Sequence, residues 1–509
     1  MRRLLIILGV PVDALTFESA LERIDEFVAL GRKTGKSHQI ATINADFVVN
    51  ALHDPDLRHI LRTADMTTAD GAPVVWAARL LGVPLHDRVA GADLVPALAE
   101  RAAQRGYSLY LLGGRPGVAE RAAAILQQRN PGLQIAGIAA PPVSSVVEMD
   151  PAVLEDIRRA KPDMLLVAFG NPKQEKWINM YRADLGVPVC IGVGGTLDMI
   201  AGVTRRAPEW AQRNGMEWLF RLVQEPRRLW RRYVRDGLYF SWFFLRQWWQ
   251  LSRSQPQVEA APAVAETAVQ QQRVLEVSGR LEAANLAEFQ ARAEASLQVS
   301  PLLMIDLSAA TFLDSAALGA LVDLTRRARE AGGDLWLCGV PTRIAQVIEL
   351  LQLHTFFSSY PDLPTALAAA EAQPAAPAAP DPAEHGWTVI RSVRELDAYT
   401  VPAILPPLLE SLERNPFLVL DLSEMLFLSS AGMAALVKLQ RAAQQRGGEV
   451  RLAACPPDVR RSIELVRLDV LITLYESVAA AVAEAPVVES LTLAVNTQPV
   501  TPIRIAGRS

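Results

Sequence analysis

One stretch of this chain is written twice. DLSAATFLDSAALGALVDL (306–324) lies over DLSEMLFLSSAGMAALVKL (421–439) at a constant offset of 115 residues, and the register continues without a gap. Gly332-Gly333 falls on Gly447-Gly448, Pro341 on Pro456, and Ile348-Glu349-Leu350 on Ile463-Glu464-Leu465. A repeat of this kind imposes two modules of one fold. Each copy reads strand, turn, helix, Gly-Gly turn, strand, helix; in the first copy the spans are 302–307, 316–331, 334–338 and 342–351. An alternation over ~100 residues predicts a small sheet covered by helices.

Composition sets the remaining boundaries. Residues 254–272 (SQPQVEAAPAVAETAVQQQ) and 371–385 (EAQPAAPAAPDPAEH) are rich in Ala, Pro, Gln and Glu, and 486–509 is similar. With few large apolar residues they read as flexible or partly extended linkers and a tail. Three folded pieces remain: 1–253, 273–370 and 386–485. A net charge of −4 argues against whole-chain nucleic-acid binding. Cys190, Cys338 and Cys455 lie far apart without a CxxC pair, which predicts a reducing compartment, no disulfide frame and no zinc site. Arg2-Arg3 before the apolar run 4–10 has the start of a signal peptide. The run is short, no small-residue cleavage site follows, and Pro11-Val12-Asp13 leads into helical patterning, so the expectation is a buried first strand. No stretch reaches the ~20 apolar residues of a transmembrane helix.

The first piece alternates too. Apolar runs at 4–8, 39–43, 108–112, 133–138, 164–169 and 189–193 read as buried strands, with 3.6-residue periodicity between them, as at 17–30 and 118–129. This predicts an open α/β sheet, which binds ligands at the carboxyl ends of its strands. Two strands run into glycine loops suited to an anionic ligand: Gly113-Gly114-Arg115-Pro116-Gly117, and Gly194-Gly195-Thr196-Leu197-Asp198. Neither is a Walker loop, and neither gives the GxGxxG that a nucleotide-dependent oxidoreductase requires. Polar residues gather at the strand ends: Thr42 and Asn44, Asp70, Arg88, and Gln174 with Glu175. Taken singly, Asp70 before Gly71 reads as a turn or helix cap, Arg88 as a surface ion pair, and Gln174 and Glu175 as first-turn helix residues.

Together the segments NADFVVNA (44–51), ADGAPVVWAARLLG (69–82), RVAGADL (88–94), LLGGRPGVAERAA (111–123), GNPKQEKWI (170–178), GVGGTLDMIAGVTRRAPEW (192–210) and EWLFRLVQEPRRLWRRY (217–233) resemble the WecG/TagA/CpsF family, in family order and over nearly all of residues 1–250. The resemblance implies an inverting bacterial glycosyltransferase. It moves N-acetylmannosamine or a related sugar from a UDP donor to N-acetylglucosamine on undecaprenyl diphosphate, for a cell-surface polysaccharide or teichoic acid. It implies Asp70 as general base, Thr42 and Asn44 as orienting groups, and Arg88 as the counter-charge to the leaving diphosphate. It also implies Gln174 as a substrate contact, and Asp198 with Gly194 and Gly195 as holders of UDP. No DxD motif is conspicuous, so no catalytic metal and no cofactor beyond the UDP-sugar substrate are expected. The chain departs from the family after Gly137: Ala139-Ala140-Pro141-Pro142-Val143 replaces the usual Gly-Tyr-Phe stretch.

Residues 205–253 form a basic, aromatic appendage with Arg205, Arg206, Arg213, Arg221, Arg227, Arg228, Arg231, Arg232, Arg235, Arg246 and Arg253, opposed only by Glu209, Glu217, Glu225 and Asp236. Arg228, Arg231 or Arg232, and Arg235 recur at helical spacing, and LYFSWFFLRQWWQL (238–251) follows. A basic face beside clustered aromatics suits anionic lipid headgroups. The resemblance implies that Arg221, Arg228 and Arg231 meet the lipid-linked diphosphate, with the protein peripheral on the cytoplasmic face of the plasma membrane.

Each repeat resembles a STAS domain, the fold of anti-sigma-factor antagonists, whose motif serine is a phosphorylation site. Ser315 in Phe312-Leu313-Asp314-Ser315 matches it; Ser430 matches in Phe427-Leu428-Ser429-Ser430, where Ser429 replaces the aspartate. The plainer reading makes both serines helix caps. The expectation is therefore a membrane-associated glycosyltransferase fused to two regulatory or assembly modules that bind protein partners. Its rival is a non-catalytic scaffold with a decayed enzyme domain, which intact Thr42, Asn44, Asp70 and Arg88 oppose.

Overall fold

The computed structural model describes residues 2–83, 85, 87–141, 151–213, 216–224, 226–253, 263–269, 272–283, 285–351, 353–372, 386–391, 394–397, 400–465 and 468–483. The chain divides into two compact units. The first is Met1–Ala376 with Leu396–Pro402 and Phe427–Ala434, and the second is Pro377–Glu395, Ala403–Leu426 and Ala435–Ser509.

The chain opens with β1 (Leu4–Ile7), β2 (Val10–Asp13), α1 (Phe17–Thr34), β3 (His38–Ile43), α2 (Ala45–His53), α3 (Pro55–Thr63), β4 (Met66–Ala69), α4 (Ala72–Leu80) and α5 (Gly91–Arg105). Next come β5 (Ser108–Gly113), α6 (Val118–Arg129), β6 (Gln134–Ala139), α7 (Pro151–Ala160), β7 (Met164–Ala168), α8 (Lys173–Leu185), β8 (Val189–Gly192) and α9 (Thr196–Ile200). The appendage is α10 (Glu209–Arg213), α11 (Glu217–Gln224) and α12 (Pro226–Arg253). Six strands form one sheet in the order β4-β3-β8-β7-β5-β6, every neighbouring pair parallel. Parallel strands are buried on both faces, which is why MLLVA reads as an unbroken apolar run; β3 (HQIATI) is buried as well although it carries His38, Gln39 and Thr42. Leu94, Leu98, Ala119 and Leu126 pack on one face; Phe47, Val48, Trp177 and Ile178 belong to the cores of the other.

Two strands of this N-terminal part escaped the sequence. Residues 10–13 are themselves a strand, β2, which pairs antiparallel with β1; the helical patterning expected after them begins at Phe17. Pro11 sits opposite Ile6 and has no N–H to donate, so a strand containing it reads as unsuitable. β4 is only four residues with two threonines, and its apolar signal is faint.

The first repeat comprises β9 (Ala263–Val269), β10 (Gln272–Leu281), α13 (Leu286–Val299), β11 (Leu302–Asp306), β12 (Ala310–Leu313), α14 (Ser315–Glu330), β13 (Asp334–Cys338), α15 (Thr342–Leu350), β14 (Ser358–Tyr360) and α16 (Leu363–Ala372). Its sheet runs β12-β10-β11-β13-β14, and β9 pairs antiparallel with β10. β9 lies within the expected linker 254–272, whose remaining residues, apart from Gln272 in β10, fall outside those described. An Ala-rich edge strand is held by backbone hydrogen bonds, so side-chain composition hides it. In the second copy β15 (Thr388–Ile390) is followed by β16 (Glu395–Leu396), α17 (Val401–Arg414), β17 (Phe417–Asp421), β18 (Phe427–Leu428), α18 (Ser430–Gln444), β19 (Glu449–Ala453), α19 (Pro457–Leu465), β20 (Thr473–Tyr475) and α20 (Val478–Ala483). β17, β19 and β20 stand 115 residues after β11, β13 and β14. The structural repeat therefore keeps the sequence register. Residues 373–385 and 484–509 lie outside the described residues.

Candidate active site

The parallel sheet brings its polar residues to one edge. Thr42 lies near the end of β3, Asn44 follows it, Asp70 follows β4, Gly113 ends β5, and Gly194 lies just beyond β8. Thr42 is buried and its hydroxyl donates to the Gly192 carbonyl at 3.4 Å. Asn44 caps α2, its side-chain oxygen accepting from the Phe47 N–H at 3.2 Å. The Asp70 N–H donates to the Ile43 carbonyl at 2.8 Å, which ties the end of β4 to that of β3. Gly71, not Asp70, is the N-cap of α4, and that helix has no side-chain cap. A Cβ on Gly71 would stand 3.2 Å from Asn44 Cβ, so Asn44 and the Asp70-Gly71 turn are neighbours.

The loop bearing Arg88 is stitched to β4. The Val89 N–H donates to the Ala69 carbonyl at 2.9 Å, and the Thr68 hydroxyl donates to the Val89 carbonyl at 3.0 Å. Arg88 stands 2.8 Å from Glu217 and 3.5 Å from Asp93. Arg206 also pairs with Asp93, and Arg221 lies 3.6 Å from Glu217. Arg88, Arg206 and Arg221 thus converge around two carboxylates beside Asp70. Burial pushes the Asp70 carboxyl up to about 6; Arg221 and Arg88 pull it down, and Glu217 and Asp93 push it up again. Sequence reasoning missed Asp93, Arg206 and Glu217 as members of the site. Glu217, one helical turn before Arg221, was the available signal.

Gln174 is 1 % exposed. Its amide oxygen accepts from the N–H groups of Gly170 (3.1 Å) and Gly194 (3.0 Å), and its amide nitrogen donates to Glu175 at 2.8 Å. In this arrangement it braces the loops after β7 and β8. A Cβ on Gly192 would come within 2.4 Å of Glu175 and 2.5 Å of Gln174, so only glycine fits there. Burial pushes Glu175 up to about 8. Gly113, Gly114 and Gly194 all have positive φ (97°, 86° and 51°), Gly195 is the N-cap of α9, and Asp198 lies 3.3 Å from Arg115.

α12 presents an apolar stripe to the outside. Trp230, Val234, Leu238, Trp242, Leu245 and Trp249 follow one another at intervals of three or four residues, and all are exposed. Leu229, Phe240, Phe244 and Gln247 form the inner face. Arg231 and Arg235 are exposed along the helix; the Arg228 and Arg232 side chains lie outside those described. Among the described residues no helix is long and apolar enough to cross a membrane.

Ser315 and Ser430 are each 2 % exposed. Asp314 is the N-cap of α14, its carboxylate accepting from the Ala317 N–H at 2.7 Å, so Ser315 is the first helical residue and not the cap. Ser429 takes the position of Asp314 in the second copy, accepting from Gly432 at 3.3 Å. Ser430 bonds the Asp56 carboxylate, both residues lying in the first unit. Both hydroxyls are thus buried and hydrogen-bonded in this arrangement.

An open parallel sheet that gathers Asp70 and convergent arginines at the carboxyl ends of its strands is a place where α/β enzymes bind an anionic ligand. The model of the Glycosyl transferase WecG/TagA/CpsF family matches residues 5–254, and that of the STAS domain matches 263–366 and 378–481. The chain belongs to the WecG/TagA/CpsF family; it is a glycosyltransferase carrying two STAS domains. It is 34% identical over 193 residues to an N-acetylglucosaminyldiphosphoundecaprenol N-acetyl-beta-D-mannosaminyltransferase of Bacillus spizizenii, covering 38% of this chain and 73% of the relative. It is 31% identical over 224 residues to the enzyme of the same name from Staphylococcus aureus, covering 44% of this chain and 85% of the relative. Among solved structures it matches an anti-sigma factor antagonist from Mycobacterium paratuberculosis at 28% identity and a TM-score of 0.21, over 22% of this chain and 99% of that one.

Proposed function

We propose that residues 1–253 transfer N-acetylmannosamine, or a related sugar, from a UDP donor to undecaprenyl-diphosphate-linked N-acetylglucosamine, with inversion and without a metal ion. The carrying observation is the Asp70 carboxyl, pushed up to about 6 at the carboxyl end of β4 and flanked by Arg88 and Arg221. Such a group is mostly ionised at neutral pH yet basic enough to take a hydroxyl proton. Asp70 accepts the proton of the acceptor hydroxyl while that oxygen bonds the anomeric carbon. The bond from this carbon to the diphosphate breaks, and UDP leaves with the electron pair. One displacement inverts the centre, and one carboxylate suffices. Arg88 meets the charge that grows on the leaving diphosphate, while Arg221 meets the lipid-linked diphosphate of the acceptor. Gly194, Gly195 and Asp198 hold the nucleotide, with Gln174 fixing Gly194 from behind.

The acceptor is a lipid, and α12 supplies the means to reach it. Its six-residue apolar stripe, beside Arg231 and Arg235, matches a peripheral helix lying in the headgroup region on the cytoplasmic face. Exposed apolar patches beyond a few hundred Å² mark such contact sites. The STAS domains serve protein interactions.

The deciding experiment incubates the full chain with a panel of UDP-sugars and a short-chain lipid-diphosphate N-acetylglucosamine. UDP release that needs both UDP-N-acetylmannosamine, or a close relative, and the lipid acceptor is expected. Absence of acceptor-dependent release with every donor overturns the reading.

A further inference from the structure

Among the described residues β1 has one strand neighbour, β2, and therefore one open edge. Ile6 sits opposite Pro11 of β2, which offers no N–H, so the Ile6 backbone groups face the other way. Both are satisfied from far along the chain. Ser315 Oγ accepts from the Ile6 N–H and donates to the Ile6 carbonyl, each at 2.8 Å, across 309 residues of sequence. Gln247 of α12 completes the edge. Its amide nitrogen donates to the Ile6 carbonyl at 2.8 Å and its oxygen accepts from the Leu8 N–H at 2.9 Å. A bare strand edge is a liability, and here side chains close it.

The contact extends along a whole helix face. Ser315, Gly319, Asp323, Arg326 and Glu330 lie three or four residues apart on α14. Each meets the glycosyltransferase part of the first unit. A Cβ on Gly319 would stand 2.6 Å from the Leu4 carbonyl oxygen, so the helix approaches the strand backbone to backbone. Asp323 is 3.9 Å from Arg2, Arg326 is 3.7 Å from Asp65, and Glu330 is 3.0 Å from Lys36. The Ile6 side chain completes the STAS core, packed with Leu318, Leu321 and Val322. The corresponding residues of the second repeat, 115 positions on, are Ser430, Ala434, Lys438, Arg441 and Gln445. Ala434 lacks the close approach that glycine permits, and Lys438 would oppose Arg2, so this face of the first copy alone is cut for the hairpin.

We infer that the face Ser315–Gly319–Asp323–Arg326–Glu330 is a docking surface whose partner is this chain's own β1–β2 hairpin, and that the docked STAS module positions the strand leading to Asp70. The path is short. Arg2, near Asp323, bonds both carboxylate oxygens of Asp13 through its Nε and Nη2, at 2.9 and 2.6 Å. Asp13 accepts from the Thr67 N–H at 2.7 Å and from its hydroxyl at 3.2 Å. Thr67 belongs to β4, which runs directly into Asp70. The residues of α14 are positioning residues; none touches the reacting atoms. The docking claim holds whichever sugar and acceptor the enzyme uses.

Hydrogen exchange on the full chain tests it, read over residues 2–13 against strands 302–306 and 334–338 as internal controls. In Gly319→Leu and Ser315→Asp, exchange over the hairpin should rise at least tenfold while both control strands stay protected. Ser315→Ala removes the hydroxyl without adding charge or volume, and exchange at the Ile6 amide should rise on the order of fivefold, the worth of one hydrogen bond. Unchanged hairpin exchange in Gly319→Leu and Ser315→Asp, with the control strands intact, overturns the inference. Should those two variants disturb the control strands, Ser315→Ala decides: faster exchange at Ile6 supports the clamp, and a wild-type rate there refutes it.

Discussion

Glu217 of α11 accepts a hydrogen bond from Arg88 at 2.8 Å, joining the appendage to the loop beside Asp70 across 129 residues of sequence. The same carboxylate helps to push the Asp70 carboxyl upward, while Arg88 and Arg221 pull it down. Burial is the main cause of the raised Asp70 value; Glu217 adds to it and also holds Arg88. Glu217→Gln removes a negative neighbour from Asp70, so its carboxyl should titrate below the wild-type value of about 6. The acidic limb of kcat/KM against pH should move to lower pH in the variant. A limb that stays in place, or moves up, refutes the coupling.

Asp70→Asn should lose a factor of ~10²–10⁴ in turnover, the usual cost of removing a general base. It should also gain stability at neutral pH. The folded carboxyl titrates at about 6, above its ordinary value of 3.8. Between those values the folded protein binds the extra proton, so wild-type stability falls as pH rises through the window and stays at the lower level above it. Asparagine carries no charge to bury. Melting curves should show the variant above wild type at pH 7–8 and the difference closing towards pH 4. Near-normal turnover by the folded variant would remove Asp70 from its role.

The legibility of this site follows from how parallel sheets are built. Strands buried on both faces are mostly apolar, so β5, β7 and β8 stood out in the sequence, β3 remained legible through Ile40, Ala41 and Ile43, and the polar residues after them marked the ligand edge. β4 did not stand out, because Thr67 and Thr68 spend their hydroxyls on Asp13 and Val89. Asp70 was therefore readable only through its motif. β2 was hidden by Pro11. The charge partners Asp93 and Glu217 are distant in sequence, and no local pattern announces a pairing made by tertiary folding. The same holds for Ser315 and Ile6. Their contact depends on an open strand edge, which cannot be recognised before the missing N–H of Pro11 is placed opposite Ile6.

Leaving-group stabilisation by arginines predicts that turnover survives chelation. Full activity is expected in EDTA, whereas Arg88→Ala should lose about 10²–10³ in kcat, as when one preorganised donor is removed. Abolition by EDTA with restoration by Mg²⁺ or Mn²⁺ would transfer that task from the arginines to a metal.

Two forces hold α12 at a lipid surface in this reading, and they are separable. The helix has 28 residues, about 42 Å at 1.5 Å per residue, and its outer stripe runs from Trp230 to Trp249. Each basic residue near an anionic surface contributes ~1 kcal/mol, screened over ~8–10 Å in physiological salt. Changing Arg228, Arg231, Arg232 and Arg235 to Glu should therefore weaken co-sedimentation with anionic vesicles strongly at low salt and less at high salt. Changing Trp230, Trp242 and Trp249 to Ala, which are 50%, 69% and 48% exposed, should weaken binding at every salt concentration. Apolar burial is not screened by ions. These tryptophans lie away from the inner face of Leu229, Phe240 and Phe244, so melting temperature should be unchanged. If the Trp variant binds vesicles like wild type, the stripe faces something other than lipid. If it melts early, the stripe serves the fold instead.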